Sequence, residues 1–187
     1  KYFVVTINLY KREGIILENE NIILIGFMGV GKGTVARALV KQSDYFAVDT
    51  DDLIESLENK KIKKIFEQMG EPYFRALEKK CALWCEKNIQ NSIISTGGGF
   101  YKQENIKKIG KIVYLQSTFE KILEGIHSSP NAKKKLKKRP LLSNLDEAKK
   151  IYDQRVKEYE NVADIIINVE DWDENIAAQN ILKELSK

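Results

Sequence analysis

The sequence is short of most things that would make a small protein depend on a metal, a disulfide or a membrane. It holds one histidine, His127, and two cysteines, Cys81 and Cys85, which lie four apart in a helical pattern. That spacing suits a disulfide poorly and leaves a zinc site two ligands short, so core packing rather than metal binding is the expectation. The longest stretch free of charged and amide residues, Ile22 to Gly31, is about half of the roughly 20 residues a membrane helix needs, and it contains three glycines. The apolar stretch Tyr2 to Tyr10 is broken by Thr6 and Asn8 and lacks a small-residue cleavage site, which argues against a secretory signal. The expected compartment is cytoplasmic. An excess of one charge is missing too: 31 Lys plus Arg against 27 Asp plus Glu leave +4, too little to argue for a nucleic-acid or membrane partner. With three prolines, no low-complexity run and no internal repeat, nothing marks a linker.

What remains is 187 residues, 43% hydrophobic and 31% charged, the composition of one globular domain with a real core. Short apolar runs at Asn21 to Ile25, Tyr45 to Val48, Ser92 to Ser95, Lys111 to Leu115 and Asp164 to Val169 read as strands. Helical patterns separate them, notably Glu71 to Ile89, where Phe74, Leu77, Cys81 and Trp84 would form one apolar face. Ser117 and Glu120 form a candidate capping box for a helix Phe119 to His127. Asp171 or Asp173 could cap a last helix that turns Ile176, Ile181 and Leu185 to the core. Strand and helix in alternation predict an α/β fold with a parallel sheet covered on both faces. Residues 1–20 stand apart as an N-terminal extension that could form a hairpin around Glu13-Gly14, with Phe3 to Leu9 and Ile15 to Leu17 as arms; residues 21–187 form the single domain. Ser128 to Lys138, rich in lysine and followed by Arg139-Pro140, joins two helices as a candidate mobile lid over about 128–140.

Three motifs carry chemistry. Gly26-Phe27-Met28-Gly29-Val30-Gly31-Lys32 is a GxxxxGK loop between a strand and a helical pattern, the context in which backbone N–H groups wrap a phosphate and the lysine adds a point charge. Gly33 follows the lysine where a hydroxyl residue usually holds Mg²⁺, and Thr34 comes next. Asp49-Thr50-Asp51-Asp52 ends the second strand, and its spacing puts Asp49 and Asp51 on one side of an extended chain, able to reach a metal shell and a substrate hydroxyl. Alternatively Asp51 or Asp52 only caps a helix Leu53 to Leu57. Thr96-Gly97-Gly98-Gly99 ends the third strand and permits close approach of a ligand, or is simply a flexible turn. Arg75, Arg139 and Arg155, each in isolation, read as surface ion-pair residues.

Taken together, GFMGVGK, DTD, FRALE, TGGG, RPLL and RVKEY resemble, in order and approximate spacing, the motifs of the shikimate kinase family, over Asn21 to about Leu185. The resemblance implies a three-layer P-loop kinase fold, with a five-stranded parallel sheet in order 2-3-1-4-5, helices on both faces and a lid. It also implies transfer of the γ-phosphoryl group of ATP to the 3-hydroxyl of shikimate, on the route to chorismate and the aromatic amino acids. Gly29, Gly31, Lys32, Gly33 and Thr34 then correspond to the ATP-binding loop, and Arg139 to the lid arginine that closes on the phosphates. Asp51 resembles the carboxylate that orients the attacking hydroxyl and could act as its base. Arg75 and Arg155 resemble the pair that fixes the shikimate carboxylate, with Glu78 supporting them and Gly97, Gly98 and Gly99 lining the site. Asp49 resembles the aspartate of the Mg²⁺ shell, acting through water. The expected partners are shikimate and ATP, with no nucleic acid and no membrane, and the expected state is a monomer.

Three positions depart from the family pattern: Gly33 for its usual serine, as in adenylate kinase loops, Gly125 for an arginine near the lid, and Lys157 for a frequent proline. A nucleoside monophosphate kinase would share the GKGT loop and a basic lid but needs a base pocket that DTD and GGG do not supply. A nonenzymatic ATP-sensing or nucleic-acid-binding module using Lys133 to Arg139 leaves Asp51, Arg75 and Arg155 unexplained.

Overall fold

The computed structural model describes residues 20–130, 132–137, 140–170 and 173–187. The expected N-terminal hairpin, the Asp171 cap and Arg139 lie outside the described residues. In chain order the elements are β1 (Ile22–Ile25), α1 (Lys32–Gln42), β2 (Phe46–Asp49), α2 (Thr50–Glu58), α3 (Ile62–Asn88), β3 (Ser92–Ser95), α4 (Ile106–Ile109), β4 (Lys111–Gln116), α5 (Phe119–His127), α6 (Ala132–Lys137), α7 (Leu145–Val162), β5 (Ile165–Asn168) and α8 (Glu174–Leu185). All five strands fall within one residue of the boundaries expected from sequence at each end. They pair in parallel in the order β2-β3-β1-β4-β5.

Alternation along the central strands divides the core into two layers. Ile22 and Leu24 point to a layer filled by Val35, Ala36 and Leu39 of α1 and by Ala178 and Ile181 of α8. Ile23 and Ile25 point the other way, onto Phe74, Leu77 and Cys85 of α3 and Tyr159 of α7. A strand buried on both sides has no polar face, which is why β1 reads as an unbroken apolar run. None of the described helices is long and apolar enough to cross a membrane.

Several local expectations are corrected. Within α3 two helical segments meet at Gly70, whose φ of 79° and ψ of 172° break the ladder just before Pro72, so the helix expected from Glu71 is the second segment, ending at Asn88, and the first segment from Ile62 is an addition to it. Trp84 is 46% exposed and Cys85 takes its place in the core. At about 100° per residue, four steps from Cys81 return closer to the buried face than three do. The same phase argument displaces Ile176, which is 43% exposed, in favour of Ala177, Ala178, Ile181 and Leu182. Thr118, not Ser117, caps α5 by accepting from the Lys121 amide, which leaves Glu120 in the first turn and no capping box. Asp173 does cap α8, accepting from the amides of Asn175 and Ile176. Both cysteines are buried and free, whereas His127 is exposed in the last turn of α5. The lysine-rich connection is not all loop, since it contains α6.

Candidate active site

Register brings the motifs to one edge. Leu24 of β1 is level with Ser95 of β3, and Ser95 is level with Asp49 of β2, so three strands end together and release the phosphate loop, the DTDD segment and the glycine strip side by side. In an open parallel sheet this carboxyl edge is where ligands bind.

The phosphate loop needs its glycines at identifiable places. Gly29 has φ 95°, and a methyl group there would lie 2.6 Å from Ile126 Cδ1 of α5. Gly31, at φ 106°, caps α1 in the left-handed region that most side chains avoid. Lys32 is buried and donates to the carbonyl oxygens of Gly26 at 2.7 Å and Phe27 at 3.2 Å, so its ammonium is held against the loop it would serve. Gly33 is different in kind: it is inside α1, and the nearest atom to an added methyl is Arg37 Nη1 at 3.7 Å. Thr34 Oγ1 accepts from Arg37 Nη2 at 3.2 Å and faces outward.

The DTDD segment does not remain extended, as the same-side argument required. The chain turns helical at Thr50, and the helix cap is Asp49, not Asp51 or Asp52. Asp49 Oδ1 accepts from the amides of Asp51 at 2.9 Å and Asp52 at 3.4 Å, while Oδ2 accepts from the Ser95 hydroxyl at 2.8 Å. Asp51, in the first turn of α2, is the opposite case. Its Oδ1 is buried and has no hydrogen-bond partner among the described residues. Burial, then the neighbouring carboxylates of Asp49 and Glu78, push the Asp51 carboxyl up to about 7 against the opposing pull of Lys32.

Each of the three glycines in the strip faces a different one of the expected residues. A methyl at Gly97 would lie 2.6 Å from Asp51 Oδ1, one at Gly98 3.2 Å from Arg155 Nη1, and one at Gly99 2.6 Å from Arg75 Nη1. The Gly98 position is also 3.9 Å from the Met28 amide nitrogen, which places the strip against the phosphate loop. Glu78, 1% exposed, accepts from Arg75 Nη1 at 2.6 Å, yet burial outweighs the two arginines and its carboxyl is raised above the usual range. Arg155 reaches across from α7 to donate to Gly98 O at 3.2 Å. Thus Asp51, Arg75, Glu78, Arg155, the glycine strip and the loop containing Lys32 share one edge, and Asp49 buttresses it.

Sequence reasoning missed three participants. Thr50 is fully buried and accepts the Gly97 amide at 3.1 Å, fixing the strip to α2. Glu71 Oε1 accepts from Arg75 Nε at 3.0 Å and Nη2 at 2.6 Å, an i,i+4 pair that the helical spacing could have revealed. Ser95 holds Asp49 and has no sequence signal of its own. Among the described residues no group of three or more His, Cys, Asp or Glu side chains is arranged to hold a metal.

A phosphate loop and a desolvated carboxylate beside two guanidiniums, brought together by strand register, define a phosphotransferase of the P-loop kinase class. Comparison with known proteins narrows the class. Residues 28–186 match the family described as shikimate kinase. The chain is 38% identical over 149 residues to the shikimate kinase of Helicobacter hepaticus, covering 80% of this chain and 86% of that protein. It is 41% identical over 155 residues to that of Clostridium botulinum (strain ATCC 19397 / Type A), covering 80% and 88%. The solved shikimate kinase of Acinetobacter baumannii, in complex with shikimate, aligns with a TM-score of 0.77 at 31% identity over 90% of this chain and 94% of that one. The chain belongs to the shikimate kinase family.

Proposed function

We propose that this chain transfers the γ-phosphoryl group of ATP to the 3-hydroxyl of shikimate. The observation that carries the reading is the Asp51 carboxylate, whose buried Oδ1 has no hydrogen-bond partner among the described residues and packs against Gly97, where a methyl group would lie 2.6 Å from it. A substrate hydroxyl brought to this carboxylate would give it a partner and surrender its proton to a base whose affinity for it lies near neutrality. Arg75 and Arg155 stand over the next two glycines, where they would hold a planar carboxylate by charge-assisted bonds and fix the ring that carries the hydroxyl. On the donor side the amides after Gly29 and Gly31 and the N-terminus of α1 would hold the phosphates, with Gly33 and Thr34 in its first turn. Lys32 would exchange its carbonyl partners for phosphate oxygens.

Mg²⁺, which keeps several of its waters, fits this donor set: Asp49 would hold it through water by way of Oδ2. When bound it would neutralise charge on the transferring phosphates. The stretch from Ser128 through α6 to Arg139 would act as the lid, with Arg139 closing on the phosphates. The reading includes a monomer in the cytoplasm with no nucleic-acid partner.

The test is ADP release measured with shikimate and with AMP as acceptors, beside a nucleic-acid gel shift. Turnover with shikimate alone supports the proposal. Turnover with AMP would make the chain a nucleoside monophosphate kinase, and a salt-dependent shift without turnover would make it a nucleic-acid-binding module.

A further inference from the structure

One buried hydroxyl touches the glycine strip without a part in the scheme above. Tyr159 lies one turn after Arg155 on α7 and is 1% exposed. Its hydroxyl donates to Gly98 O at 2.6 Å, and Arg155 Nη1 donates to the same oxygen at 3.2 Å. A carbonyl oxygen has two lone pairs, so this acceptor is filled by two donors from one helix face. The ring is fixed in turn, edge-on to Tyr101 with centroids 4.6 Å apart and tilted against Tyr114 at 5.1 Å. A second tie joins the same two segments: the Tyr101 hydroxyl donates to Glu158, which Lys102 approaches at 3.4 Å.

We propose that Tyr159 is a positioning residue for shikimate, its hydroxyl holding the Gly98 carbonyl in the orientation that aims Arg155 at the substrate carboxylate. The two arginines differ in how they are held. Arg75 is gripped by Glu71 and Glu78, whereas Arg155 is in ion-pair contact with no carboxylate among the described residues and leans on Gly98 O. Glycine is the residue whose peptide planes turn most freely, so a guanidinium that leans on a glycine carbonyl is aimed only as well as that carbonyl is fixed. Tyr159 fixes it. Burial raises the phenol up to about 12, so it is a hydrogen-bond donor throughout the working range. With the carbonyl pinned, the other guanidinium nitrogens remain directed at the site and less side-chain freedom is lost when substrate arrives.

The inference rests on the shikimate kinase reading, and the experiment separates the two. Tyr159→Phe keeps the ring and its packing but removes the donor. The shikimate KM should rise about fivefold, equivalent to about 1 kcal/mol at roughly 1.4 kcal/mol per decade, while kcat and the ATP KM stay near wild type. In an Arg155→Ala background the same change should add nothing, because the tyrosine acts through that arginine. An unchanged shikimate KM would overturn the assignment alone, provided the wild type turns over shikimate. So would an equal fivefold rise in the Arg155→Ala background, or a variant that fails to fold, since the hydroxyl would then serve the core. Absence of wild-type turnover would overturn both readings.

Discussion

Replacing Asp51 by Asn should make the protein more stable and nearly inactive, and the gain in stability should depend on pH. The Asp51 carboxyl is pushed up to about 7, chiefly by burial and then by Asp49 and Glu78. An unfolded carboxyl titrates near 4, so between these values the folded protein holds a proton that the unfolded chain has released. The folded state therefore binds more protons across that window, and stability falls as pH rises through it. At about 1.36 kcal/mol per pH unit, the full gap corresponds to about 4 kcal/mol, an upper bound. Asn is nearly isosteric and carries no charge, so Asp51→Asn should match wild type near pH 4 and exceed it at pH 8. For a chain of this size 1 kcal/mol moves Tm by about 2–4 °C, which sets a ceiling of roughly 8–16 °C at pH 8.

Two assays read this prediction. Thermal unfolding of both proteins from pH 4 to pH 8 should give curves that diverge with rising pH. Turnover with saturating shikimate should fall by about 10²–10⁴ in the variant, the usual contribution of a positioned base, and wild-type kcat/KM should rise with pH through about 7. A variant with a Tm gain that is the same at pH 4 and pH 8 would refute the claim that Asp51 is a desolvated charge. A folded variant with near-normal turnover would reduce Asp51 to a first-turn helix residue.

Arg75→Ala and Arg155→Ala should each weaken shikimate binding by about 1.5–3 kcal/mol with little effect on ATP, measured as separate KM values. Only Arg75→Ala should also lower Tm by several degrees, because it strands the Glu78 carboxylate, whose side chain is 2% exposed. Gly33→Ser should lower the Mg²⁺ concentration for half-maximal rate without changing shikimate affinity. Gly33 is helical and a side chain there meets only Arg37 Nη1 at 3.7 Å, so an unchanged Mg²⁺ dependence in a folded variant would refute the role given to the missing hydroxyl. Amide exchange across 128–137 should slow when an ATP analogue and shikimate are added, and equal exchange with and without them would return that segment to a solvated face.

The central strands β1, β3 and β4 were legible because they are buried on both sides, and a strand such as Ile22–Ile25 then has nothing polar to blur its edges, whereas the edge strands β2 and β5 are largely exposed and were marked by their apolar runs alone. The phosphate loop was legible because its chemistry is local, with strand, glycines, lysine and helix inside a dozen residues. Helix phase was harder to read. Trp84 outranks Cys85 as a hydrophobe in composition, but the turn angle from Cys81 decides which of them is buried in the core layer. The cap of α5 depended on whether Ser117 or Thr118 left the strand last, and either could have served by chemistry alone.

The DTDD segment shows what sequence could not convey even where its motif was recognised. Asp49 and Asp51 are chemically identical and two positions apart, yet one accepts three hydrogen bonds and the other has an oxygen with none among the described residues. The difference comes from neighbours on β3 and just after it. Ser95 is level with Asp49 and offers a hydroxyl, whereas Gly97 faces Asp51 and offers only space. A parallel pair sets that register through contacts far apart in the chain, so the roles of the two aspartates are assigned by the third strand and not by the motif that contains them. The same holds for the arginines: Arg75 and Arg155 look like surface residues in isolation, and become a pair because Gly99 and Gly98 are adjacent. Glycine at these positions is thus less a hinge than a set of spaces, each shaped for one charged group, and the acceptor site is made by what the strip leaves out.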